Sequence, residues 1–189
     1  MRFAKWMTAF ALVAGTAVAG STALTGCATA PATRAERTGL RHDADATLGQ
    51  MIAQDPALRD ITSGALGYAV FPSVGKGGAL VGGAYGQGIL YESGQPTGFV
   101  SLEQASLGAQ LGGQSFSELL VLRNASDIEA LKAGHYTVGA DLGVVVLTTG
   151  AAAHATFDPN ANVYVLPRGG LMVDISISGQ QLKYQSFSA

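Results

Sequence analysis

The chain has 189 residues, 48% of them hydrophobic, and its 11 Lys and Arg residues against 13 Asp and Glu residues leave a net charge of −2. This weakly acidic balance argues against nucleic-acid binding, which requires a basic surface. The length suits one domain with a sizeable core, and a single cysteine excludes an intramolecular disulfide.

The first 26 residues have the layout of a secretory signal. Arg2 and Lys5 form a basic start, and an uncharged, mostly apolar stretch follows over residues 7–20. The next residues, Leu24-Thr25-Gly26-Cys27, resemble a bacterial lipobox, in which a cysteine directly follows small residues. The resemblance implies cleavage before Cys27, attachment of diacylglycerol to its thiol, and acylation of the new amino terminus by a fatty acid such as palmitate.

The chain after the signal has no run long enough for a transmembrane helix. Its longest uncharged run, residues 142–157, has sixteen residues, whereas a spanning helix needs about 20 predominantly apolar ones. We therefore expect a lipid-anchored protein without a transmembrane helix. Ala28 follows the cysteine, and the sorting rule of bacterial lipoproteins implies the outer membrane, with the domain facing the periplasm and surface exposure left open.

The first elements after the signal are predicted to be helical. Residues 27–36 are small, polar and proline-bearing, which is typical of a linker after a lipidated cysteine. Apolar residues then recur at helical spacing over residues 37–54. Asp55-Pro56 ends this helix, and a short second helix is predicted over residues 57–62.

The stretch "FPSVGKGGALVGGAYGQGILY", residues 71–91, is unusually rich in glycine. Its glycines do not have the spacing of a nucleotide-binding loop, and its charge-free part is too short for a membrane-spanning glycine zipper. Interpreted as a strand, it places large residues on one face and small residues on the other, with Ala84, Gly86 and Gly88 among the small ones. A bare face lets a sheet bend sharply or another group approach closely.

Further strands are predicted over residues 116–122, 138–146, 162–167 and 170–179, where apolar residues alternate with polar ones or run together. One helix interrupts them at residues 126–134, with Ser126 as N-cap. The fold class is therefore α+β: N-terminal helices, then a curled, mostly antiparallel, glycine-rich sheet that approaches a barrel, and one further short helix.

Three glycine-rich segments together resemble the SYLF family. They are "FPSVGKGG", "ASLGAQLGGQS" and "PRGGLM", and the likeness extends over about residues 45–185, within one domain spanning residues 37–189. The resemblance implies binding to anionic lipids, which are phosphoinositides in animal members, through a basic amphipathic N-terminal helix, and some fungal members also bind actin. Two features depart from that pattern, since acidic residues stand among the arginines of this helix and bacterial envelopes generally lack phosphoinositides.

No catalytic constellation stands out. "GQSFS" at residues 113–117 is not a nucleophile elbow, Glu103 and Glu118 lie on separate predicted strands, and the three histidines lack partners at metal-ligand spacing beyond the weak pattern "HDAD". We expect the protein to have no enzymatic activity, no cofactor and no bound metal.

The candidate lipid-binding residues are basic. Arg34, Arg37 and Arg41 fall within about 60° of one another on a helix. Lys76 and Arg168 each precede a pair of glycines, where turn amides can form an anion-binding nest. With lipidation at Cys27, these residues predict a protein that binds anionic phospholipid. The alternative is an envelope protein whose glycine-faced sheet docks a protein partner or a second copy.

Overall fold

The computed structural model describes residues 28–78, 81–107, 113–139, 142–147, 162–169 and 179–187. Cys27 and the signal lie outside these ranges, as does nearly all of the predicted strand 170–179. The elements in chain order are α1 (Arg34–Gln54), α2 (Leu58–Gly64), β1 (Gly67–Gly78), β2 (Val81–Glu92), β3 (Gln95–Leu107), β4 (Gly113–Leu122), α3 (Ala125–Lys132), β5 (Thr137–Val138), β6 (Val144–Val146), β7 (Val163–Gly169) and β8 (Gln180–Ser186).

The eight strands form one sheet in the order β5-β8-β3-β2-β1-β4-β7-β6. All neighbouring pairs are antiparallel except β6 and β7. This confirms the predicted class, a mostly antiparallel sheet preceded by helices. The predicted strand over residues 138–146 is instead two short strands, β5 and β6, on opposite edges of the sheet.

The sheet is strongly curled. Gln180 in β8 donates a hydrogen bond of 3.0 Å from Nε2 to Oε2 of Glu118 in β4, although four strand spacings separate these strands. In a flat sheet, four spacings of 4.7–4.9 Å would hold them about 19 Å apart. The bond therefore defines a concave face, on which both side chains lie.

Each face of the sheet has its own apolar core. The concave face carries residues such as Phe71, Leu102 and Phe116, and α3 adds Ile128 and Leu131. On the convex face, sheet residues pack with residues of α1 and α2; they include Val70, Ile89, Met51 and Leu58. Tyr91 reaches across this second core and donates a 2.6 Å hydrogen bond to Asp45 of α1. Desolvation, and then the Asp45 carboxylate, raise the pKa of the Tyr91 hydroxyl.

Two features of β1 and β2 account for the curl. A bulge interrupts the register of β1 between Val70 and Ser73, and a bulge bends a strand and increases its twist. Facing it, Gly88 of β2 has no room for a side chain, since a Cβ there would lie 2.8 Å from Cδ1 of Phe71. Residues 71–91, interpreted as a strand, belong instead to two antiparallel strands, β1 and β2. Within β2, Ala84, Gly86 and Gly88 lie on one face, as predicted, because they are two residues apart.

Two helix starts differ from the prediction. Helix α1 begins at Arg34 rather than Arg37, because Thr33 and Glu36 form a reciprocal capping box. Helix α3 has Asn124 as its N-cap residue instead of Ser126, and no side chain caps it. Gly134, after its end, has φ +73°, the left-handed conformation expected of a residue that ends a helix.

Candidate functional site

The residues that follow Cys27 lie against the convex face of the sheet. We call residues 28–33 the N-terminal strap. The carbonyl of Ala28 accepts hydrogen bonds of 2.7 Å from the Tyr85 hydroxyl and from Nε2 of Gln87. Ala30 and Pro31 are buried. The segment predicted as a linker thus makes specific contacts with β2, beginning one residue after the predicted lipidation site.

Two of the three predicted arginines fix the strap and the C-terminus. Arg37 donates from Nε to the Pro31 carbonyl at 2.9 Å, and its guanidinium lies 5.7 Å from the ring centre of Phe99. Arg41 lies over Phe187 at 4.9 Å, and the two phenylalanine rings meet edge to face. A cation over a ring contributes about 0.5–1 kcal/mol at exposed sites.

The exposure of the three arginines differs. Arg34 and Arg41 are exposed and Arg37 is half-buried. Because α1 begins at Arg34, all three belong to one regular helix, as the predicted arginine face requires. Glu36 lies on the same first turn; its backbone hydrogen bond with Thr33 is the largest cause of a lowered pKa, so a negative charge stands beside the arginines.

Lys76 is not in a turn, and this prediction is wrong. The residue lies within β1, opposite Ala84 of β2 and Gln114 of β4, and is only 4% exposed. It shares the concave face with Val74, because residues two apart in a strand point to the same side. The sheet therefore separates Lys76 from the arginines of α1.

Arg168 is likewise part of a strand rather than a turn. It lies in β7 and donates from Nη1 to the Pro72 carbonyl at 2.6 Å. The Ser117 hydroxyl donates to the same carbonyl at 2.7 Å. Pro72 lies in the bulge of β1, so these two donors satisfy a carbonyl that the interrupted ladder leaves unpaired.

A groove runs between the strap, α1 and the first two strands. Its two parts have volumes of about 550 and 340 Å³. Leu40, Asp43 and Gln87 line both parts, and Gly75 and Tyr85 contribute to the floor of the second. A Cβ at Gly75 would meet nothing within 4 Å, so the absent side chain keeps this floor open.

The sequence did not predict the polar side chains of the concave face. Glu118 is fully buried, and desolvation raises its pKa to about 7, although the hydrogen bond from Gln180 acts in the opposite direction. In "FSELLVL" Glu118 occupies an inward position between Phe116 and Leu120. The alternation of inward and outward residues in this strand was the sequence signal that could have identified Glu118 as an inward residue. Glu103, in contrast, faces away and pairs with Lys183 at 2.8 Å.

Two features are absent from the described part of the chain. None of its helices combines the length and apolar character that crossing a bilayer requires. Across the same ranges, no three His, Cys, Asp or Glu side chains come together in a group that could hold a metal ion.

Comparison with known proteins relates the chain to one family. Residues 103–186, from within β3 to the end of β8, match the family model Ysc84, described as "Las17-binding protein actin regulator". A curated protein of Aeromonas veronii, beta cell expansion factor A, is 25% identical over 140 residues, which are 73% of this chain and 53% of that protein. The chain thus spans about half the length of this relative. The Ysc84 model describes the SYLF domain, so the matches confirm the resemblance to this family that the glycine-rich segments predict.

Proposed function

We propose that this protein is an outer-membrane lipoprotein whose SYLF-like domain binds anionic phospholipid and has no catalytic activity. The observation that carries the proposal is the docking of the strap. Ala28 is held on β2 by Tyr85 and Gln87. A lipid chain on Cys27 would therefore leave the domain at a defined point rather than from the end of a loose tether.

The arginines of α1 follow this point closely. Arg34 is six residues beyond Ala28, and its helix starts directly from the strap through the capping box. A basic residue near an anionic leaflet contributes about 1 kcal/mol, and this contribution fades within about 8 Å at physiological salt. Only cations held close to the anchor contribute, so Arg34 and Arg41, which are exposed, are the best candidates.

The nearby acidic residues keep this affinity weak. Glu36, Asp43 and Asp45 lie on the same helix, and each offsets part of the attraction. Weak affinity is sufficient in an anchored protein, because tethering raises the effective concentration of headgroups around the domain. The expected role of the arginines is to orient the domain against the leaflet.

The test is sedimentation of unlipidated Cys27→Ser protein with vesicles of phosphatidylcholine alone or mixed with phosphatidylglycerol. We expect binding only to the mixed vesicles and loss of binding in high salt. Arg34→Glu should weaken it by roughly tenfold. Arg59→Glu is the matched control, since Arg59 is also exposed but lies in α2, beyond the far end of a helix about 30 Å long. Equal binding by the two variants would refute the assignment to α1.

The anchor itself is tested separately in cells. Cys27→Ala removes the residue that would carry the lipid, so the variant should no longer be found in the membrane fraction. Full membrane retention of this variant after a high-salt wash would contradict the anchor.

The second candidate function is protein docking. The matching family model is described as a Las17-binding protein, so a protein partner is a reasonable alternative for the groove beside α1. Protein docking would be favoured if the protein bound no vesicles at any salt concentration and either its mass in solution rose with concentration or it captured an envelope protein. Gly75→Trp, which fills the groove, should block that association.

A further inference from the structure

The concave face of the sheet carries a cluster of polar side chains at one end. Pairing places Gln114, Lys76, Ala84 and Gln104 in one row across β4, β1, β2 and β3. Continuing the register of β3 with β8, in which Glu103 faces Gln181, brings Gln180 next to Gln104. We call Lys76, Gln104, Gln114, Glu118 and Gln180 the inner polar cluster.

The cluster is buried but incompletely hydrogen-bonded. Gln180 and Glu118 are fully buried, and one bond joins them, from Nε2 to Oε2. Within the described residues, the Oε1 atoms of Glu118, Gln180 and Gln114 are buried and accept no hydrogen bond. A buried polar atom without a partner costs about 1–3 kcal/mol, and native structures contain few of them. Three such atoms in one cluster indicate that a further group supplies their hydrogen-bond partners.

The cluster also restricts the charge of that group. The amide oxygens of Gln180 and Gln114 only accept hydrogen bonds, whereas Oε1 of Glu118 accepts when the carboxyl is ionised and donates when it is protonated. A cation is disfavoured by the ammonium of Lys76 on the same face, and an anion by the Glu118 carboxyl, which is partly ionised at neutral pH. Hydroxyl groups satisfy both conditions, because they are neutral and can donate and accept.

Space for such a molecule lies beside the cluster. A cleft of about 390 Å³ lies at this end of the sheet; Ala84 and Gln104 of the row and Gly179, next to Gln180, line one side of it, and Tyr85, Glu103 and Gln181 of the convex face line the other. Ala84 leaves a gap between the longer side chains of Lys76 and Gln104. At the opposite end of the curl, Ile128 of α3 approaches Gly67.

We propose that the inner polar cluster binds a neutral group with neighbouring hydroxyls, which donate to Gln180 and Gln114 and share a further hydrogen bond with the Glu118 carboxyl. Two sources offer this chemistry: the glycerol headgroup of phosphatidylglycerol and a free polyol. The first source rests on the proposed lipid binding, and the second is independent of it.

The experiment uses the side-chain amide resonances of Gln180 and Gln114 in isotope-labelled, unlipidated Cys27→Ser protein. The probes are dihexanoyl phosphatidylglycerol and dihexanoyl phosphatidylethanolamine, both below their micelle concentrations, and free sorbitol. Saturable shifts with phosphatidylglycerol but not phosphatidylethanolamine support the lipid source, and shifts with sorbitol support the free polyol. If no probe moves either resonance, the cluster holds water alone and the proposal fails.

Two variants make the assignment specific. Gln180→Met removes the acceptor at similar volume and should weaken binding by about tenfold or more. Gln185→Met, on the same strand but the convex face, should leave it unchanged. If Gln180→Met does not fold, as judged by thermal unfolding, Gln114→Met is measured instead. Unchanged affinity in a folded cluster variant would overturn the proposal. If the protein binds sorbitol but no vesicles, the proposed lipid binding is refuted, whereas the proposed polyol site stands.

Discussion

Gly88 offers the most direct test of how the sheet is built. Replacing it with alanine would place a Cβ 2.8 Å from Cδ1 of Phe71 and even closer to the carbonyl oxygen of Val70. Neither neighbour can move easily, because Phe71 is fully buried and the Val70 carbonyl is backbone at the bulge of β1. Such overpacking typically costs 1–3 kcal/mol, and we expect the upper part of that range.

Other glycines of the same two strands provide graded controls. At Gly86 the nearest atom to an added Cβ is Cγ2 of Val74 at 2.9 Å, the end of a short side chain, followed by the Ser73 carbonyl oxygen at 3.0 Å, so Gly86→Ala should cost less. At Gly75 nothing lies within 4 Å. Gly75→Ala should therefore be neutral or stabilise by up to about 1 kcal/mol, because it reduces the entropy of the unfolded chain.

Urea unfolding followed by circular dichroism measures these differences as shifts in midpoint at constant slope. In thermal unfolding, each kcal/mol corresponds to about 2–4 °C for a domain of this size. The predicted order of stability is Gly75→Ala, then Gly86→Ala, then Gly88→Ala. Equal midpoints for Gly75→Ala and Gly88→Ala would show that the close approach of β1 and β2 is not what requires glycine.

Three further changes have predicted outcomes. Because the pKa of Glu118 is raised, the protonated carboxyl stabilises the fold fully below the ordinary carboxyl pKa, and this contribution is lost as pH rises through about 7. In urea titrations, the free energy of unfolding should therefore decline between pH 5 and 7 by at most about 1.4 kcal/mol per pH unit, and Glu118→Gln should remove this decline. An unchanged pH profile in the variant would contradict the prediction. Tyr91→Phe deletes the hydrogen bond to Asp45 and should cost about 1.5–3 kcal/mol, with faster amide exchange in α1 but not in α3. Arg37→Ala removes the donor to Pro31 and should make the alanine-rich strap cleavable by elastase at unchanged global stability, whereas persistent resistance would show that Tyr85 and Gln87 suffice.

Local patterns in the sequence predicted most elements but not their long-range partners. Apolar spacing predicted α1, and alternation predicted the small face of β2, because both depend on neighbours within a few residues. The predicted turn at Lys76 was wrong because the glycines beside it suggested a turn, whereas pairing with β2 and β4 keeps the segment extended. The motif Thr33-Arg34-Ala35-Glu36 lies in the predicted linker but forms the capping box that starts α1.

The candidate site depended still more on distant contacts. Nothing local indicates that Arg37 bonds to the strap or that Arg168 reaches the carbonyl of Pro72. Glu118 was recognisable as an inward residue of an apolar strand, but its partner Gln180 is 62 residues away. Such a contact depends on the curvature of the whole sheet.

The same curvature links the glycine face to the inner polar cluster. Glu118 and Gln180 meet only because the bulge at Val70–Ser73 and the bare position at Gly88 let β1 bend over β2. Opening the curl slightly would lengthen their contact before it disturbed the ladders, since each ladder joins only adjacent strands. Water would then reach Glu118, and its raised pKa would fall toward the ordinary value, because desolvation is the larger cause of the shift. Gly88→Ala should therefore flatten the pH dependence of stability in the same direction as Glu118→Gln, although the two residues lie on different strands. If Gly88→Ala lowers stability equally at pH 5 and pH 7, the curl does not depend on this glycine.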